Sequence, residues 1–360
     1  MKKARWIWYP GDYELYHSLL LHSRREDRAI SFPRMWDLSV SYPRINFDYE
    51  GDFPEAGCFR AISNGAMGHV QVDGVRWPLN VDIPLPAGRH TIRVGLMKFG
   101  GLPSAYIDSP VLVTGDHWQV NHCAGPSLTA ACTPAYYGAE QNPEVFPFCY
   151  QRIDPVATEE IGGGTLYDFG RELFGCLVIE NASADNELRL NYGESREEAL
   201  DDIDATIRRR AQGQTRYRQN SCAFRYVFCR QSRADALRIW ADYEYLPLQD
   251  RASFSCDREQ VKKIWEVCSH TFHLNSREFY LDGIKRDRWV WSGDAYQSYM
   301  VNNYLYFDPE ITKRTIRALL GKPPYAQHIN TINDYTLYLL ISVWEYYFAT
   351  KDIQFVRGYF

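Results

Sequence analysis

The chain has 360 residues, 45% of them hydrophobic and 24% charged, with a formal net charge of −5 at pH 7. That length favours two or three domains over a single core, and the composition is that of ordinary soluble globular protein. The acidic balance supplies no basic field for nucleic acid or an anionic membrane surface, and no apolar window reaches the length of a membrane span.

The N-terminus, Met1 to Pro10, carries basic residues but no apolar run of the kind that a secretory leader needs. If Met1 is the natural start, the expected location is cytoplasmic. Nine cysteines are scattered, odd in number and without a C-x-x-C pair. This predicts free thiols rather than a disulfide framework or a zinc site. The aromatic share of 15% fits β-sandwich cores and carbohydrate-facing surfaces alike.

Residues 1–125 read as a first β-sandwich. Ala66 to Val75 alternates towards its end and turns at Asp73-Gly74, a hairpin signal. Leu85 to His90 turns into an alternating strand from Thr91 to Leu96. Tyr13 to Arg25 has mixed periodicity and reads as either a strand or a short helix. Residues 126–250 read as a linker, to about 155, followed by a second sandwich. Its strands are centred on Leu166–Gly170, Phe174–Glu180, Glu187–Glu194 and Phe224–Cys229. Glu197 to Arg210 is so charged that a solvated loop or short helix is expected, with Arg208-Arg209-Arg210 as plain exposed surface.

Near residue 250 the period changes to that of helices. One helix follows Asp257 and places Val261, Ile264, Trp265, Cys268 and Phe272 on helical spacing. A second is expected from about Asp294 to Phe307, with Asp294 as its N-cap. A third should open at Pro309 and stop at Gly321. A fourth should run from Asp334 to Ala349, and Asp352 should cap a further one. Two β-sandwich domains followed by the beginning of an (α/α)6 toroid, formed by 251–360, is the expected architecture. Several polysaccharide-active enzymes use that order. About half a toroid should leave apolar helix faces exposed.

The chemistry concentrates between Leu281 and Asp294. Three aspartates, three basic residues, two tryptophans and two glycines occupy fourteen positions, a poor recipe for a helix or for a plain surface loop. Asp282, Asp287 and Asp294 can converge in a loop and raise one another's pKa, which is how a carboxylic acid is kept protonated for glycoside cleavage. The alternative is three caps or surface aspartates paired with Lys285, Arg286 and Arg288. Trp289 and Trp291 offer one stacking platform and one core residue. His270 and His273 share a helix face, but with no third ligand nearby they read as ordinary helix histidines. No metal and no cofactor is expected.

The segment from Asp282 to Asp294 resembles the D-C-P-Q-R-D-E-R-L-G-W-T-G-D signature of glycoside hydrolase family 78, the α-L-rhamnosidases. Asp282, Arg286, Asp287, Arg288, Trp291, Gly293 and Asp294 match. Tyr167 to Gly170, Leu190 to Glu194, Phe224 to Val227 and the opening Trp6 to Asp12 are similar to the β-domains of that family. The resemblance implies an inverting glycosidase that releases terminal rhamnose. It implies Asp287 as the acid, Asp282, Arg286 and Asp294 on the sugar, and Trp291 against its ring or methyl group. The motif is one residue shorter than the signature, lacks the Glu after its second Asp, and replaces Cys-Pro-Gln by Gly283-Ile284-Lys285. The general base is expected beyond residue 360. A carbohydrate-binding protein without catalysis, or another (α/α)6 exo-glycosidase, are the competing readings.

Overall fold

A computed structural model describes residues 3–23, 43–123, 125–203, 205–285, 287–321 and 332–358. Its elements in chain order begin with helix α1 (Asp12–Ser23), which decides the mixed periodicity there in favour of helix. Strands β1 (Arg44–Phe53), β2 (Gly57–Phe59), β3 (Ala61–Ser63), β4 (Met67–Val72), β5 (Val75–Pro78), β6 (Ile83–Leu85), β7 (Gly88–Met97), β8 (Ala105–Ile107), β9 (Gln119–Asn121) and β10 (Leu128–Thr129) follow. Next come β11 (Cys149–Ile153), β12 (Ala157–Ile161), β13 (Gly164–Glu180), β14 (Leu188–Gly193), α2 (Arg196–Leu200), β15 (Ile207–Ala211), β16 (Arg216–Arg218), β17 (Cys222–Gln231) and β18 (Arg238–Tyr245). Last are helices α3 (Glu259–Asn275), α4 (Ser292–Leu305), α5 (Pro309–Leu320), α6 (Asn333–Thr350) and α7 (Ile353–Arg357).

The described residues form two compact units: one of 3–20, 43–147 and 316–321, the other chiefly of 148–315 and 332–358. The first is built on a six-stranded antiparallel sheet, in the order β10-β9-β1-β7-β4-β5, with the short ladders β2-β6 and β3-β8. Asp73 and Gly74 both adopt positive φ, which gives the β4-β5 hairpin the twist that its strands need. Alternate residues point inward. Phe47, Val70, Val94 and Val120 of the large sheet thereby share one core with Phe59, Ala61, Ile83 and Ile107 of the short ladders. The opening aromatics belong to a separate cluster in this unit. Trp6 and Trp8 are buried with Tyr13 and Tyr136, the Trp6 indole N–H donates to Gly138 O at 2.9 Å, and Trp8 stacks on Tyr13 at 4.9 Å. Much of the aromatic excess is therefore core.

The second unit holds an antiparallel sheet in the order β11-β18-β13-β17-β14-β15, with β12 and β16 also pairing with β13. The register of β13 against β17 shifts between Asp168 and Leu173, at Gly170 with φ +82°. This is a β-bulge. β15 is where the sequence reading and the structure differ most. Arg208-Arg209-Arg210 lies on an edge strand, not a loop, because Ile207 and Ala211 on either side of the run are buried.

Helices α3, α4, α6 and α7 belong to this second unit. Pro309 opens α5, Gly321 follows it at φ +79°, and the Asp352 side chain caps α7 by accepting from Phe355 N at 3.1 Å. α4 begins two residues before expected. Its N-cap position is Trp291, and Asp294 sits in the first turn, where a carboxylate faces the positive end of the helix dipole. Large apolar side chains are exposed on α3, α4 and α6, among them Val267, Tyr304, Leu337, Trp344 and Phe348. No helix among the described residues is long and apolar enough to cross a membrane. All nine cysteines are free thiols.

Helix and sheet of this unit are joined by a buried ion pair. Arg277, just past α3, reaches β18, where its guanidinium contacts the Glu244 carboxylate and donates to Glu244 O at 3.0 Å. Both side chains are about 5% exposed or less. Tyr150 donates its hydroxyl to the second Glu244 oxygen at 2.8 Å. The guanidinium lies 3.9 Å from the Phe174 ring centre and 4.5 Å from that of Phe148. Removing one partner of such a pair leaves the other charge buried alone. Arg277→Ala is expected to destabilise this unit by about 3–5 kcal/mol in urea unfolding. A loss below about 1 kcal/mol, the worth of a surface pair, would show that it is not the anchor.

Candidate active site

The chain from α3 to α4 is wound into a compact loop. Ser276 and Tyr280 form a bridge, and Leu281 N–H donates to Asn275 O at 3.0 Å. Asp282 then makes a reciprocal clasp with Trp289. Its N–H donates to Trp289 O at 3.0 Å, and its Oδ1 accepts the Trp289 N–H at 2.9 Å. The clasp closes residues 282–289 into a ring of chain. Arg288 completes it in the left-handed region, at φ +48° and 2% exposed. A buried non-glycine residue in that conformation is strained, and such strain concentrates at functional sites.

Two residues between the first two aspartates dock this loop on the sheet. Ile284 is part of the apolar core that includes Leu190, Tyr192 and Phe224. Lys285 places its ammonium 2.6 Å from Glu198 and 3.2 Å from Glu194. These are positions at which the motif departs from the familiar signature. Trp289 is 1% exposed and is core. Trp291 is partly exposed and meets Tyr335 of α6 edge to face at 5.9 Å. A Cβ on Gly293 would lie 3.0 Å from the Tyr335 ring, so glycine is what allows α6 to come this close.

The other two aspartates are close enough to be felt at Asp282. Burial pushes the Asp282 carboxyl up to about 6; the Trp289 N–H opposes this, and the charges of Asp287 and Asp294 add to it. Asp282 and Asp294 both line a cleft of about 620 Å³, together with Trp265, Phe272, Asn275 and Gln297. Asp287 is partly exposed on the same loop and does not line that cleft. Arg286 lies outside the described residues. No group of His, Cys, Asp and Glu among the described residues is arranged to hold a metal ion.

Three features escaped the sequence reading. Tyr335 faces the aspartates from α6, its hydroxyl pKa raised by burial and by Asp294, Asp334 and Asp282. Glu194 and Glu198, some ninety residues before Lys285, hold the loop. Glu172, in the β13 bulge, has its carboxyl pushed up to about 8 by burial and by Glu194. None of these carries a local signal, because each depends on long-range packing. His270 and His273 do have a local pattern, and its plain reading fits their contacts. His270 Nε2 lies 2.7 Å from Glu172 O, a carbonyl of the bulge, and His273 Nε2 lies 2.8 Å from Leu246 O.

Comparison with known families decides the lineage. Residues 61–229 match the family described as alpha-rhamnosidase-like, bacteroidetes, N-terminal. Residues 249–360 match the bacterial alpha-L-rhamnosidase six-hairpin glycosidase domain. The chain belongs to the α-L-rhamnosidase-like family. Among solved structures, this rhamnosidase-like chain is similar to a rhamnosidase from Klebsiella oxytoca with rhamnose bound, at 17% identity and a TM-score of 0.50 over 59% of this chain and 54% of that one. The α-L-rhamnosidase from Dictyoglumus thermophilum matches at 14% identity and a TM-score of 0.47, over 99% and 50% of the two chains. The family 78 rhamnosidase of Bacillus sp. GL1 matches at 16% and 0.46, over 98% and 43%. The chain thus spans about half the length of these solved relatives. No curated protein matches.

Two measurements follow from this geometry. The folded state holds the Asp282 proton more tightly than the unfolded chain, so the wild type should lose stability relative to Asp282→Asn as pH rises between about 4 and 6, with no further divergence above that. Parallel melting curves from pH 3 to 8 would expose a flat difference if Asp282 were not perturbed. Lys285→Ala should leave the fold intact but remove roughly 1–2 kcal/mol from loop closure. Hydrogen exchange at the Asp282 and Trp289 amides should then quicken by about tenfold, and unchanged exchange would show that the ammonium does not hold the loop.

Proposed function

We propose that this chain is the N-terminal portion of an inverting glycoside hydrolase that releases terminal α-L-rhamnose from glycosides or polysaccharides. The observation that carries the proposal is the meeting of Asp282 and Asp294 on one cleft, with Asp287 close enough to add to the field at Asp282. The lineage supplies the substrate class.

In this reading Asp287 is the general acid and protonates the leaving oxygen. Asp282 and Asp294 receive rhamnose hydroxyls, Arg286 contributes a cation to the same sugar, and Trp291 packs on its ring or methyl group. Tyr335 joins them as a hydroxyl on the rim. Residues 251–360 begin an (α/α)6 toroid, and further helices cover the exposed faces of α3, α4 and α6. The general base comes from that remainder, roughly 6.5–9.5 Å from the acid, so that a water fits between them. This chain by itself is expected to have little activity.

A second reading, sugar binding without cleavage, is favoured by one observation: the motif lacks the Glu of the family signature. The two readings separate in one variant. In the full-length protein, Asp287→Asn is expected to lower kcat on an aryl α-L-rhamnoside by about 10²–10⁴, the usual contribution of a positioned acid, with the melting temperature unchanged. Undiminished turnover removes Asp287 as the acid. Rhamnose binding by a wild-type enzyme that hydrolyses no aryl glycoside establishes the second reading.

A further inference from the structure

We propose that the open face of β14, β15 and β17 is a binding surface for an acidic polysaccharide, separate from the cleft at Asp282. The observation is a row of arginines. Arg189 on β14 pairs in register with Arg210 on β15 on one side and with Arg230 on β17 on the other. Neighbouring strands lie about 4.8 Å apart, so three guanidinium-bearing positions stand side by side across three strands. Arg208, two residues before Arg210 on β15, extends the row on the same side.

Like charges directly opposite one another weaken a sheet. Two carboxylates offset part of that cost. Glu187 lies 3.2 Å from Arg189 and 3.8 Å from Arg210, and Asp202 lies 2.7 Å from Arg230. Four arginines against two carboxylates leave a positive excess on a chain whose net charge is −5. The surface is also concave, enclosing about 540 Å³ lined by these arginines with Asn191, Arg209 and Asp202.

Edge-strand protection is the plain alternative, since natural sheets place charge on free edges. It accounts for Arg208 and Arg210 on β15. It does not account for Arg189 and Arg230, which sit on interior strands. A guanidinium fork is suited to carboxylate and sulfate oxygens, and the spacing of the row is of the order of one pyranose unit. No aromatic residue lines the concavity among the described residues, so it offers anion contacts and no stacking platform for a neutral sugar. The net negative chain argues against nucleic acid. The choice of a sugar polymer rests on the carbohydrate reading above; the charge argument does not.

The test is titration calorimetry of the 360-residue chain with polygalacturonate, with dextran as a neutral polymer and a DNA duplex as the other polyanion. Polygalacturonate should bind at low salt, weaken steeply as salt rises, and bind roughly tenfold or more weakly to Arg189→Gln/Arg210→Gln. Dextran should not bind. Asp287→Asn should bind like the wild type, which separates this surface from the proposed catalysis. The melting temperature checks that the double variant folds. If it does not, the single variant Arg210→Ser, at a side chain 75% exposed, takes its place. No binding of polygalacturonate, undiminished binding by the folded variant, or tighter binding of DNA overturns the proposal.

Discussion

The second unit depends on what Arg277 does between α3 and the sheet. A guanidinium this buried is tolerable only where its charge and its donors are met, and here one residue, Glu244, supplies both a carboxylate and a backbone carbonyl. Phe174 and Phe148 close over its faces. The pair fixes the point at which the chain leaves α3. Everything from Ser276 to Asp294 is laid down from that point, so the aspartate loop starts from a rigid base rather than from the end of a free helix.

The loop is then held from below. Ile284 and Lys285 stand where the familiar signature has other residues, and in this chain they have become the attachment: one side chain enters the core of the sheet, and the next is clamped between Glu194 and Glu198. The replacement of Cys-Pro-Gln by Gly283-Ile284-Lys285 therefore falls on the side of the loop that meets the sheet. Gly293 and Trp291 meet Tyr335 of α6, and Asp282 and Asp294 share a cleft with residues of α3 and α4. The motif is one residue shorter than the signature, and Arg288, next to the missing position, stands in the left-handed region.

Local chemistry made a large part of this legible in advance. α5 and the cap of α7 were readable because Pro309, Gly321 and Asp352 act through their own backbones. The Asp73-Gly74 hairpin was readable for the same reason. β15 was not, because a run of arginines hides the alternation that Ile207 and Ala211 carry. The start of α4 differs because Asp294 is a good cap by type, whereas the helix opens at Ser292 with no side-chain cap and Asp294 lies in its first turn. At the site, the three aspartates announced themselves by density in sequence. Tyr335, Glu172 and the clamp on Lys285 could not, since each is created by segments that the chain brings together only when folded.

β13 gives the second unit its character under load. It runs for 17 residues and is bonded to β12, β16, β17 and β18 along its course. Sheets usually share their neighbours out among several strands, so that an edge can peel while the rest holds. Here one strand is common to four ladders, and the bulge in it faces His270 of α3. Among the described residues, edge strands β11 and β15 pair only with β18 and β14 and can open while β13 holds, but opening β13 gives up four ladders together with the carbonyl that meets α3.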